Sequence, residues 1–79
     1  MKLMLEAVIK QPDGIIDVSV IIKEDNGKKR SYIYHLKDYK ALEAFNNLYY
    51  SNKKNHGRAL QILVRNNVQM VEDTAIPVA

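Results

Sequence analysis

The chain has 79 residues, no cysteine, 47% hydrophobic residues and a formal net charge of +3. That length holds one domain around one modest core; the missing cysteines exclude disulfide staples and thiolate metal sites, and the hydrophobic share argues against disorder. The opening stretch MKLMLEAVIK is interrupted by Glu6 and is too short for a membrane span or a signal-peptide core, so a soluble, intracellular (cytoplasmic) protein with no membrane partner is expected.

Three β-rich segments come first. Residues 2–10 (KLMLEAVIK) end at QPDG, where Pro12 presets its backbone angle and Gly14 can take a positive one. Residues 15–24 (IIDVSVIIKE) are rich in β-branched side chains and end at DNGK, a hairpin signal. Residues 29–36 (KRSYIYHL) follow, and the order reads as an antiparallel meander.

Register follows from the burial pattern. A three-residue loop of Asp25, Asn26 and Gly27 opposes Glu24 to Lys28 and gathers Ile16, Val18, Val20, Ile22, Tyr32, Tyr34 and Leu36 on one face. A two-residue loop scatters them, because one residue of slip exchanges the faces, so the three-residue loop is preferred. The first strand resists this treatment. A PDG loop pairs Gln11 with Ile15 and sends Leu3, Leu5, Ala7 and Ile9 to the other face, beside Ile21 and Ile33. Either this strand carries a bulge, or the sheet has a second apolar face in need of a partner.

After Leu36 the hydrophobic period changes from two to about 3.6. Asp38 is the expected N-cap of a helix over 39–51, whose stripe is Tyr39, Leu42, Phe45, Leu48 and Tyr49. A second helix lies in HGRALQILVRNN, with Asn66 and Asn67 as stops. Residues 68–72 (VQMVE) can form a short fourth strand, which closes a single domain over 1–72, and 73–79 reads as a C-terminal tail. The fold class is α+β: a three-stranded antiparallel meander packed on a helical hairpin, in the order β-β-β-α-α.

Catalytic chemistry is sparse. His35 and His56 fall in different elements, and no spacing of histidine or carboxylate suggests a metal pair. Gly14, Gly27 and Gly57 are isolated, so no phosphate-binding glycine loop or nucleophile elbow is present. Glu24, Asp25, Glu72 and Asp73 sit at a hairpin tip and the start of the tail, without the apolar burial that tunes a general acid. No cofactor, metal, small-molecule substrate or catalytic residue is therefore expected, and the chain does not read as an enzyme. Tyr32 and Tyr34 alternate as base-stacking aromatics do, but the chosen register puts both under the helices. Tyr50 is the aromatic expected at the surface, beside a basic turn.

Two basic clusters stand out. Lys28, Lys29 and Arg30 follow the 25–27 turn, and Lys53, Lys54, His56 and Arg58 lie in SNKKNHGR between the helices. Free amides at the start of the second helix, helped by Lys53, Lys54 and Arg58, would offer an anion site; the alternative reading of this turn is a hydrated loop whose lysines keep the protein soluble. Leu3, Leu5, Ile9, Ile21 and Ile33 are the candidate protein interface, with a homodimer as its simplest closure.

The stretch from Arg30 to Val68 resembles the strand–helix–helix order of ribbon-helix-helix DNA-binding proteins, although in that family the strand pairs with its copy in a second subunit. NGKKRSYIYHLKDYKALEAF is similar to the three-stranded arm-binding domains of phage integrases, which implies a sheet laid into a DNA groove; the second helix departs from that pattern. In size, and in lacking catalytic chemistry, the chain resembles small phage-encoded inhibitors of bacterial enzymes. The favoured reading is a small non-catalytic binding module that contacts nucleic acid through its basic turns; the alternative is a protein-binding or inhibitory module, of the phage or mobile-element accessory type, using an apolar sheet face.

Overall fold

The computed structural model describes residues 1–67 and 76–77. Strands β1 (Lys2–Lys10), β2 (Ile16–Lys23) and β3 (Lys29–Leu36) are followed by helix α1 (Tyr39–Ser51), a 3-10 turn (Lys53–Asn55), helix α2 (His56–Arg65) and a two-residue strand β4 (Ile76–Pro77). The sheet is antiparallel in the order β1-β2-β3-β4, with β1 at one edge and the two-residue β4 at the other. The expected three strands and helical hairpin are all present. The short fourth strand lies at Ile76–Pro77, within the stretch read as a tail; residues 68–72, where a strand was expected, lie outside the described residues.

Both hairpins close in the same way. Gln11 N–H donates to Ile15 C=O (2.8 Å) and Gly14 N–H to Gln11 C=O (3.0 Å); Glu24 N–H donates to Lys28 C=O (2.8 Å) and Gly27 N–H to Glu24 C=O (3.0 Å). Gly14 and Gly27 stand at φ 90° and 87°, a region closed to most L side chains. Asp13 and Asn26 brace the turns by accepting from the N–H groups of Ile15 and Lys28 (2.9 and 3.0 Å).

β2 and β3 pair in the expected register, with Val20 opposite Tyr32, Val18 opposite Tyr34 and Ile16 opposite Leu36. β1 combines the two alternatives that its pattern left open. Next to the 12–14 turn the ladder runs regularly, with Ile9 opposite Asp17 and Ala7 opposite Ser19. The register then shifts between Leu5 and Ala7, so Glu6 is an extra residue and Leu5 meets Val20 while Leu3 meets Ile22. One extra residue reverses the parity of everything beyond it. Leu3 and Leu5 therefore return to the helix-covered face, while Ala7 and Ile9 stay on the other.

The core consists of Leu3, Ile16, Val18, Val20 and Leu36 from the sheet and Ala41, Leu42, Phe45, Ala59 and Leu63 from the helices, with Tyr32 and Tyr34 packed against it. Asp38 caps α1 by accepting from Lys40 N–H (2.8 Å). Of the predicted stripe, Leu42 and Phe45 are buried, whereas Tyr39 is exposed and carries the Lys10 ammonium 5.0 Å from its ring centre. Asn67 holds the end of α2 against β3: it bridges to Leu36, and its side-chain oxygen accepts from His35 N–H (3.0 Å).

Candidate nucleic-acid interface

The two basic turns are built by different means. The 25–27 turn leads straight into β3, so pleating alternates the side chains that follow. Lys29 falls on the outer sheet face and Arg30 on the helix face, where its Nε stands 3.7 Å from Glu24 Oε1. Lys28 is exposed, and among the described residues it has no carboxylate partner.

The turn between the helices is organised by Asn52, whose side-chain oxygen accepts from Lys54 N–H (3.0 Å) and whose carbonyl accepts from Asn55 N–H (2.9 Å). The His56 N–H in turn donates to the Lys53 carbonyl. The Lys54, Asn55 and His56 amides, three of those that would face an anion here, are therefore already bonded within the turn. His56 is engaged as well: its ring stacks on Tyr49 with centroids 4.7 Å apart and planes 7° from parallel, and its Nε2 donates to the Tyr49 carbonyl (3.1 Å). Lys53, Lys54 and Arg58 remain exposed, without a carboxylate partner among the described residues. Tyr50, edge-on to Tyr49 at 4.9 Å, is 71% exposed, the most exposed of the large hydrophobic side chains among the described residues.

Topology brings both basic turns toward one end of the molecule. α1 leaves the sheet beyond Leu36, and Asn67 returns after α2 to the same residue. The turn between the helices is thus at the far end of their hairpin. Tyr39, near the start of α1, lies beside Lys10, while the Tyr49 hydroxyl accepts from Leu5 N–H (2.9 Å). α1 therefore runs antiparallel to β1, back toward the end that carries the 25–27 turn.

The apolar candidates divide. Leu3 is 1% exposed in the core and Leu5 packs against that core, because the Glu6 bulge turns them there. Ile9 (54% exposed), Ile33 (45%) and the half-buried Ile21 remain on the outer face, together with Met4 and Ala7. The outer face reads across the strands in rows: Ile9, Asp17 and His35; Ala7, Ser19 and Ile33; Met4, Ile21 and Ser31; then Lys2, Lys23 and Lys29. Lys2 and Lys23 were absent from the sequence-based candidates. The pairing of Lys23 with Lys29 follows from the chosen register, but the place of Lys2 depends on the bulge.

Asp17 accepts from His35 Nδ1 (2.5 Å) and Gln11 Nε2 (2.8 Å). Burial is the largest single influence on its carboxyl and pushes the pKa up, but the hydrogen bonds from His35 and Gln11 and the His35 charge outweigh it, so the net shift is below the ordinary value. Asp25 is also held low, by a hydrogen bond from the Met1 amino group (2.8 Å) and by its charge. Glu6 accepts from the Ser19 hydroxyl (2.9 Å). Among the described residues no cluster of three or more His, Asp or Glu side chains is arranged to hold a metal ion, and no helix is long and apolar enough to cross a membrane.

β3 pairs with β2 and β4 of its own chain, so the likeness to ribbon-helix-helix proteins does not extend to their strand pairing. Comparison with known proteins adds no relative: no family model matches the chain, and no curated protein or solved structure matches it significantly.

Proposed function

We propose that this domain is a small, non-catalytic binding module that works inside the cell and contacts nucleic acid through phosphates. One observation carries the reading: α1 runs back toward the sheet end that holds the 25–27 turn, and Lys28, Lys53, Lys54 and Arg58 have no carboxylate partner among the described residues. Cations without internal partners are free to neutralise phosphates, a sequence-independent interaction driven by counterion release. The exposed Tyr50 ring beside them offers a stacking surface for an unpaired base. His56, stacked and bonded to Tyr49, holds the turn in shape and is left out of the phosphate contacts.

The test is binding of labelled single- and double-stranded oligonucleotides over a salt series. Lys53→Ala with Lys54→Ala should weaken binding to unrelated sequences alike and lower the salt slope by about one per lost contact. Stability should hardly change, since both lysines are exposed. No binding by the parent at about 50 mM salt would sink the proposal.

A second reading has its own support. Ile9 and Ile33 stay exposed on a sheet face that no described helix covers. A protein partner, or a second copy, docking there would bind with little salt dependence and lose affinity on Ile33→Lys. The Glu6 bulge withdraws Leu3 and Leu5 from this surface, which leaves a smaller patch than the sequence pattern predicts.

A further inference from the structure

We propose that Lys2, Lys23 and Lys29 form a phosphate-binding line across the end of the sheet, taking consecutive phosphodiesters of one nucleic-acid strand. The inference rests on the nucleic-acid reading above and adds two residues, Lys2 and Lys23, that neither basic turn contains.

Lys2 lies directly opposite Lys23, and Lys23 directly opposite Lys29. The parity of each strand puts all three side chains on the outer face: Leu3, Ile22 and Arg30, their neighbours in sequence, turn to the helix side. Like charges directly opposite one another destabilise a sheet, so this row is unfavourable in the free protein. Among the described residues no neighbouring carboxylate relieves it. Glu24 approaches Arg30, Asp25 is taken by the Met1 amino group, Glu6 lies beyond the Met4 row and accepts from Ser19, and Asp17 sits at the far end with His35 and Gln11. Three ammonium groups aligned at strand spacing span roughly 10 Å, a line suited to a strand of phosphates rather than to one isolated anion. The row occupies the sheet end that carries Lys28 and toward which the turn with Lys53 and Lys54 is directed, so a strand crossing it can continue onto the turns.

The experiment compares the salt dependence of oligonucleotide binding for the parent, Lys2→Ala/Lys23→Ala, Lys2→Arg/Lys23→Arg and Lys53→Ala/Lys54→Ala. The expected result is a slope lower by about two for the Lys2→Ala/Lys23→Ala protein, restored by the arginines. The alanine variant should also melt at or above the parent's temperature, because a repulsion has been removed. An unchanged slope in that variant, with a lowered one in Lys53→Ala/Lys54→Ala, would overturn this inference and leave the broader reading standing. A slope that the arginine variant fails to restore would also overturn it, since charge would not be the cause. Absence of binding by the parent would remove both.

Discussion

Both faces of this sheet carry isoleucines, and those isoleucines have different fates. The helix side carries Ile16, Val18, Val20 and Ile22; the outer side carries Ile9, Ile21 and Ile33 among Ser19, Ser31, Asp17 and three lysines. α1 and α2 cover the first face so completely that Val18, Val20, Leu36 and Phe45 lose all access to solvent, while Ile9 and Ile33 stay about half exposed. Isoleucines occur on both faces, but only the helix side gathers apolar residues in an unbroken row, and that is the side the second layer covers. A domain of this size builds one core, so the other face is released from packing and is free to carry charge. An unrelieved row of lysines is tolerable there because those side chains reach water.

The largest expected effect tests the contrast directly. Phe45 is the only phenylalanine, is fully buried and stacks on Tyr49 at 5.5 Å. Phe45→Ala should cost about 3–5 kcal/mol through lost transfer energy and a cavity. Against a total stability of roughly 4–12 kcal/mol for a chain this long, that leaves a protein barely folded. Ile33→Ala on the open face should cost less than about 1 kcal/mol. Urea unfolding of both variants measures the ratio. Comparable losses would mean that the outer face is also packed in solution.

A smaller effect tests how β1 is divided between the faces. Because Glu6 is the extra residue, removing it keeps every cross-strand pair of β1 with β2 and makes the alternation of Leu3, Leu5 and Val8 regular. A one-residue deletion inside a regular strand inverts the side chains beyond it; this one should fold and stay within about 1 kcal/mol of the parent. It should also associate more readily, because bulges guard open edges and β1 is an edge strand. Unfolding curves and solution mass together check it, and a deletion protein that fails to fold would show that the bulge itself holds the strand.

How far the sequence discloses this arrangement varies with the number of independent signals at each site. At the second hairpin the glycine turn and the burial pattern agree, so the eight pairs of β2 with β3 are legible, including the Lys23–Lys29 pair. At the first hairpin they conflict, and nothing local to Glu6 distinguishes a bulged residue from an ordinary outward glutamate. That is why the pattern leaves the face of Leu3 and Leu5 open, and why Lys2 does not stand out in the sequence. The basic residues of both turns were legible as charge, but their convergence depends on the direction of α1, which rests on Tyr49 reaching Leu5. The spent amides of the 3-10 turn were hidden for a related reason: SNKKNHGR does not reveal that Asn52, rather than a bound anion, accepts from Lys54.

The smallest effect concerns the polar end of the open face. Asp17 and His35 are directly opposite, and the pair joins β2 to β3 on the face that no described helix covers. The folded protein holds the Asp17 pKa below the 3.8 of the free side chain. A carboxylate depressed by folding contributes stability that is fully present above its unfolded pKa and disappears as pH falls through the lower, folded value. The parent should therefore exceed Asp17→Asn in stability by a constant margin above about pH 5, and that margin should shrink on acidification below the unfolded value. His35→Gln should keep the Gln11 bond to Asp17 and lose the larger of its two hydrogen-bond contributions, so its stability should vary less with acid than the parent's. Thermal melts across an acid series measure both differences. Parallel curves for parent and Asp17→Asn at every pH would mean that the carboxylate is no more favoured in the folded chain than in the unfolded one, and the outer face would then owe nothing of its order to this pair.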